Sequence, residues 1–205
     1  LKSVQKLDTA NIPYVLVDRD IYNGDFSGIF LSNANAVYDA VSLLIENNYS
    51  KIAIMTGPDG NVNADQRLEG YKEALKNHDI SIDDALISQC NFEVNCAYES
   101  AKKILEQNPT AIFSCSNQFS VGLIKAIREK GLRLGKDVVV FSFIKLDESN
   151  SDYQSISYID HPIDYMGQKA VTILNNKFVG TKGLIREILS YELVFKSWYH
   201  ENSNY

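Results

Sequence analysis

The sequence has no long apolar run. None of its hydrophobic stretches nears the ~20 residues that a helix needs to cross a bilayer, so no membrane-spanning segment is expected. Material for a metal or redox centre is scarce, with three histidines and three cysteines in 205 residues. There is no H-E-x-x-H, and Cys90, Cys96 and Cys115 show no C-x-x-C spacing. Neither a zinc site nor a disulfide framework is suggested, and unpaired cysteines fit a reducing cytoplasm. The first residues, LKSVQKLDTANIP, are polar and contain no signal-peptide core. Basic charge is short as well: 20 Lys and Arg stand against 26 Asp and Glu, a net charge of −6. A chain that grips DNA by itself needs a basic face. The densest basic stretch, KAIREKGLRLGK, reads as an ordinary helix and its exit, so these residues alone are not expected to hold nucleic acid.

Catalytic signatures are missing too. The loop TGPDGNVNADQR lacks the lysine and hydroxyl of a nucleotide-hydrolysing phosphate loop, although it can still offer a helix N-terminus to polar ligand atoms. No G-x-S-x-G elbow occurs. Asp160 and His161 are neighbours in an extended segment, where adjacent side chains point to opposite faces, so they do not read as a dyad. Cys115 can be a nucleophile only with a base nearby and a lowered pKa. Its place in an apolar run reads instead as buried packing. No enzyme, cofactor or metal site is expected.

What is present is an alternation of strands and helices. Apolar runs at 13–18 (PYVLVD), 28–31 (GIFL), 51–57 (KIAIMTG), 85–90 (ALISQC), 110–115 (TAIFSC), 137–143 (DVVVFSF) and 156–159 (ISYI) read as strands. Between them lie helical patterns. Val37, Ala40, Val41, Leu44 and Ile45 recur at helical spacing, with Asn33 or Asn35 to start the helix and Asn47-Asn48 to end it. Further helices are expected over 64–77, 96–108, from Gln118 to Gly131, where the glycine terminates it, and over 162–178 with Pro162 near its start. Residues 186–198 read as extended. Near-continuous apolar strands separated by helices predict an α/β fold with parallel sheets covered on both faces. In such sheets ligands sit outside the carboxyl ends of the strands. That selects Asp18, the loop 57–67, the segment 90–95, Ser116-Asn117-Gln118 and Phe143-Ile144-Lys145. Arg67, expected in the first turn of its helix, is either a solvated cation or a fork that makes paired hydrogen bonds to a ligand. Phe92 is either core packing or an aromatic wall of a small-molecule pocket.

The order of these landmarks resembles the LacI/GalR family of bacterial transcription regulators, in its effector-binding domain. The resemblance is carried by NIPYVLVDR, IFLSNANAVYDAVSLLIENNYSKIAIMTGP, ADQRLEGYKEAL, PTAIFSCSNQFSVGLIKAIREKGLRLGKDVVVFSF, SISYIDHPIDYMGQKAVTIL and SYELVFKSW, spread over nearly all 205 residues. It implies two Rossmann-like lobes of the periplasmic binding protein-like type I, joined by three crossovers, with a sugar-type effector between them. The N-terminal lobe is expected over 1–32 and 160–182 and to be incomplete. The C-terminal lobe is expected over 33–159 and 183–205. The resemblance further implies a cytoplasmic transcription repressor. It implies a homodimer, with apolar Val121, Leu123, Ile124 and Ile127 on several faces of one helix, and a DNA-binding headpiece outside this sequence that reads the operator. A periplasmic-type solute-binding protein for sugar transport shares the architecture and is the alternative.

Position by position, the resemblance assigns ligand contacts to Asp18, Asn61, Asn63, Arg67, Phe92, Asn117 and His161. Two positions depart from the family pattern. Gln118 stands where an acid is usual, and Ile144 occupies the place of an effector-binding carboxylate. A carboxylate accepts two sugar hydroxyls and an isoleucine side chain accepts none. The expected effector is therefore not a simple neutral sugar bound in the usual way: either it is phosphorylated or less hydroxylated, or effector control is weakened.

Overall fold

The computed structural model describes residues 2–22, 26–180 and 183–196. The chain divides into two compact units, Leu1–Ser32 with His161–Tyr191 and Asn33–Asp160 with Glu192–Tyr205. None of the described helices is long and apolar enough to cross a membrane.

The second unit holds a six-stranded sheet. Its strands are β3 (Ile52–Thr56), β4 (Ile87–Gln89), β5 (Ala111–Ser114), β6 (Val139–Ser142), β7 (Ser157–Asp160) and β9 (Glu192–Val194), in the order β4-β3-β5-β6-β7-β9. All pairs are parallel except β7 with β9, which is antiparallel. Every residue of β3, β5 and β6 is buried, as strands covered on both faces must be. Helices α2 (Asn33–Glu46), α3 (Val62–Asn77), α4 (Val94–Glu106) and α5 (Asn117–Glu129) supply the cover. All four have the next residue but one after their ends in the left-handed conformation, Asn48 (φ 68°), Asp79 (φ 57°), Asn108 (φ 50°) and Gly131 (φ 73°), and in α2, α3 and α5 the chain then turns back in the same way. After these three, an amide reaches back to a carbonyl of the last turn, Tyr49 to Leu44, Ile80 to Leu75 and Leu132 to Ile127. Buried Tyr71 ties α3 to the sheet by donating to the Ile52 carbonyl at 2.8 Å. At the other end of β3, Thr56 donates to the Ala64 carbonyl at 3.2 Å.

The first unit holds a smaller parallel sheet, β1 (Leu16–Val17), β2 (Gly28–Leu31) and β8 (Arg186–Leu189), in the order β1-β2-β8, with α1 (Lys2–Thr9) and α6 (Ile163–Phe178). The extended run expected from 186 is in fact two strands that serve different sheets, and its last residues lie outside the described ones. Arg186–Leu189 pairs with β2, and the Arg186 guanidinium pairs with Asp20 and lies 4.2 Å from the Phe30 ring centre. The expected return to the second unit at 183 therefore falls later, at Glu192. Helix α1, which the sequence pattern does not indicate, buries only Val4. Of the four apolar residues on α5, Leu123, Ile124 and Ile127 are buried within the unit and only Val121 is exposed. The multi-faced apolar pattern is thus spent largely on packing inside the unit.

Candidate functional site

The carboxyl ends of β3, β5 and β6 gather the side chains of interest in the second unit. Helix α3 begins two residues earlier than the sequence pattern indicates, at Val62. Arg67 is consequently in its second turn and escapes the unfavourable end of the helix dipole. Nor is it solvated, being only 6% exposed. Its Nε donates to Asn33 Oδ1 at 2.8 Å and its Nη1 to the Cys115 carbonyl at 2.6 Å. The guanidinium lies 3.6 Å from the centre of the Phe143 ring. Asn33 opens α2 and donates in turn to Gln66 at 3.1 Å. A buried charge is costly unless its hydrogen bonds are satisfied. Here a flat aromatic and two fixed acceptors from separate elements hold the fork in one orientation.

Phe92 lies in the turn between β4 and α4 with φ 63°, a conformation that a bulky side chain rarely takes. Strain of this kind persists only where the surroundings impose it, and it clusters at functional sites. The surroundings are identifiable. The half-buried Phe92 ring stacks on Phe119 with centroids 5.3 Å apart and planes 10° from parallel. It also covers Gly57, where an added Cβ would come within 2.4 Å of Phe92 Cζ and 2.9 Å of Ala64 Cβ. Glycine at 57 is what lets the ring lie over the end of β3.

The loop residues have more local duties. Asn61 is the N-cap of α3, its side-chain oxygen accepting from the Ala64 amide at 3.1 Å. Asn63 is buried in the first turn of α3. Asn117 is the exposed first residue of α5, and the cap of that helix is Ser116, whose hydroxyl accepts from the Phe119 amide at 3.3 Å. Behind them a buried serine cluster joins the two strand ends. Ser120 donates to Ser114 at 2.8 Å and lies 3.1 Å from Ser142, which donates to the Ile144 carbonyl at 2.7 Å. Gln118 is exposed and Ile144 half-buried.

In the first unit, Asp18 directly follows β1. Its φ is 63°, and its amide donates to the Ile29 carbonyl at 2.8 Å. His161 is 6% exposed, with its ring 6.4 Å from that of Tyr191 and nearly edge-on. A cavity of about 510 Å³ in this unit is lined by residues such as Asp8, Pro13, Tyr14 and Phe26. Those residues precede the strands, so the cavity is not at their carboxyl ends. Burial and the Asp8 carboxylate push the Tyr14 hydroxyl up to about 12, so it stays protonated and its bond to Asp8 persists through the neutral range.

Among the described residues no group of three or more His, Cys, Asp or Glu is placed to hold a metal ion. Cys115 is 1% exposed, and burial pushes its thiol up to about 12, against the opposing pull of the Arg67 charge and the Thr56 hydroxyl. At pH 8 that thiol is protonated and shielded. Iodoacetamide is expected to leave Cys115 unmodified in the folded protein and to label it after unfolding in urea, as read by peptide mass. Labelling of Cys115 in the native chain at the rate of a free thiol would contradict this. The contribution of Cys115 to the site is its backbone carbonyl. Sequence reasoning missed that carbonyl and the partners Asn33 and Phe119. Phe143 was legible only through its place at the end of β6.

A parallel α/β sheet with polar and aromatic side chains converging at its carboxyl edge defines a ligand-binding domain of the doubly wound class. Residues 41–197 match the periplasmic binding protein-like domain family, and the chain belongs to that family, as an effector-binding domain of the LacI/GalR type. The HTH-type transcriptional repressor PurR of Vibrio atlanticus is 29% identical over 167 residues, covering 80% of this chain and 50% of that protein. The HTH-type transcriptional regulator CelR of Thermobifida fusca is 25% identical over 197 residues, covering 94% and 58%. Among solved structures, a CelR–cellobiose complex superposes with a TM-score of 0.86 at 24% identity, covering 95% of this chain and 61% of that one. CcpA of Lactococcus lactis gives 0.87 at 22%, covering 96% and 73%. These two establish the fold. The chain spans about half the length of the curated relatives it matches. Those relatives are transcriptional regulators, which does not favour the transport-protein alternative.

Proposed function

We propose that the chain is the effector-sensing part of a cytoplasmic, DNA-binding transcription regulator, and that it works as a homodimer. The observation that carries the ligand site is the buried Arg67 fork, held by Asn33, the Cys115 carbonyl and the Phe143 ring at the carboxyl edge of the sheet. Phe92 supplies an aromatic wall beside it, on the Phe119 stack. Asn63, Asn117, Asn61, Asp18 and His161 are the further polar contacts in this reading. The effector acts by population shift: it binds one conformation better and so biases the protein toward it, with no covalent step. Operator DNA is held by sequence outside these 205 residues, in keeping with a net charge of −6.

The effector class is a sugar or sugar derivative. The cellobiose in the CelR complex supports a saccharide. Gln118 and Ile144, in place of acids, support a derivative that is phosphorylated or carries fewer hydroxyls. The test is a thermal-shift panel of glucose, cellobiose and glucose 6-phosphate, followed by calorimetry. A true effector at a hundred times its Kd adds about 2.7 kcal/mol. For a domain of this size that raises the melting point by roughly 5–10 °C. The phosphate is expected to outrank the parent hexose. Tight binding of an unmodified hexose would overturn the derivative class, and silence across all saccharides would overturn the sugar reading.

A further inference from the structure

A second feature of the same unit does not depend on the effector reading. Cys90 directly follows β4; it is buried, and its amide donates to the Thr56 carbonyl at 2.9 Å. The chain turns back through Asn91, Phe92 and Glu93, with Phe92 in the left-handed conformation, and enters α4 at Val94. Cys96 is the third residue of that helix and is half-buried. Cys96 and Ser100 are four residues apart and share one face of α4. The Cys90 thiol donates to Ser100 Oγ at 3.2 Å, which sets its sulfur against that face. Cys96, one turn before Ser100 on that face, is thus a neighbour of the Cys90 thiol.

The two thiols sit in different surroundings. Cys96 is in the first turn of α4 and is partly open to solvent. Cys90 is enclosed, and burial, with the Cys96 thiol adding to it, pushes its pKa up. One sulfur is therefore placed to meet an oxidant and the other to meet the product.

We propose that Cys90 and Cys96 are a redox modification site, forming a reversible disulfide under peroxide that closes the loop carrying Phe92. The Cys96 thiolate attacks one peroxide oxygen. The O–O bond breaks, the leaving hydroxide takes a proton to become water, and Cys96 becomes a sulfenic acid, oxidised by two electrons as the peroxide is reduced. The Cys90 sulfur then attacks the sulfenic sulfur. The S–S bond forms, the S–O bond breaks, and the departing hydroxide leaves as water with the Cys90 proton. In sum, two thiols and one hydrogen peroxide give one disulfide and two waters. A thiol reductant restores the loop by exchange. Transient bonds of this kind are the ones a reducing cytoplasm tolerates.

The 205-residue chain is treated with hydrogen peroxide, its remaining thiols are trapped with N-ethylmaleimide after unfolding, and intact mass and peptide maps are recorded. The expected result, beyond the single maleimide adduct on Cys115, is a loss of about 2 Da, a linked Cys90–Cys96 peptide, and full reversal by dithiothreitol. In Cys90→Ser, Cys96 should progress to sulfinic acid, a gain of about 32 Da. In Cys96→Ser, Cys90 should remain a thiol. The proposal is overturned if the unmutated chain keeps Cys90 trappable while Cys96 over-oxidises, or if the links found join different molecules. None of these readouts involves the effector, so the disulfide and the sugar reading fail separately.

Discussion

Arg67→Ala is expected to lower the unfolding free energy by about 3 kcal/mol and to abolish the thermal shift produced by any effector. The stability loss follows from what the truncation leaves behind. Asn33 Oδ1 and the Cys115 carbonyl each lose a charged donor, at 2.8 and 2.6 Å, in a buried setting. Hydrogen bonds to charged groups contribute about 1.5–3 kcal/mol each, and an acceptor left buried without its donor costs about 1–3. The removed guanidinium also uncovers the Phe143 face. Arg67→Lys separates the two roles. An ammonium keeps the charge and can satisfy one acceptor, so about half of the stability should return. It is not a planar fork and cannot hold Asn33, the Cys115 carbonyl and a ligand in fixed directions at once. Effector affinity in the lysine variant is therefore expected to stay at least tenfold below that of the parent, a loss of about 1.4 kcal/mol. Urea unfolding reads the first quantity and calorimetry the second. Unchanged affinity in Arg67→Lys would remove Arg67 from the ligand site.

How much of this was legible beforehand depends on the range of the interaction involved. The strands of the larger sheet are runs such as AIF and VVF, and the helices show 3.6-residue spacing, so local pattern identifies them. Their ends were also readable, because Asn48 and Gly131 tolerate the left-handed cap conformation better than most residues. Arg67 and Phe92 were found because they follow strands whose carboxyl edges carry ligands. What holds them was not. Asn33 is 34 residues from Arg67 and Cys115 is 48, and no periodicity links such positions. The partition of 186–194 between two sheets failed for the same reason. REIL and ELV look alike as extended segments, and only pairing decides that one lies beside β2 and the other beside β7. Asn117 shows a different limit. A polar residue at a strand end reads equally as a cap or as a contact. The structure gives the capping to Ser116 and leaves Asn117 exposed.

The register between α2 and α3 links stability to the site, and Gly70→Ala tests it. An ideal Cβ at Gly70 would fall 2.1 Å from the Ala34 carbonyl oxygen and 3.0 Å from its carbon. Both are backbone atoms of α2, so no rotamer change relieves the clash, and the helices must separate. Alanine gains about 1 kcal/mol of helix propensity over glycine. Forced separation in a packed interior costs typically 1–3 kcal/mol and occasionally more. With backbone on one side of the clash, the upper end applies. The expected net loss is about 2 kcal/mol, read as a lower urea midpoint. Gly167→Ala is the matched control. Gly167 lies inside α6 with nothing within 4 Å of an added Cβ, so the same substitution should stabilise by about 0.5–1 kcal/mol. The second consequence concerns the ligand. Ala34 follows Asn33, and Gly70 is three residues from Arg67 on the same side of α3, so a displaced α2 draws Asn33 Oδ1 away from the Arg67 Nε. Gly70→Ala should therefore weaken effector binding even under conditions where the variant is fully folded, whereas Gly167→Ala should leave it unchanged. If Gly70→Ala proved as stable as Gly167→Ala and bound normally, the close approach of the two helices would be relaxed in solution, and the α2–α3 register would not be what supports Arg67.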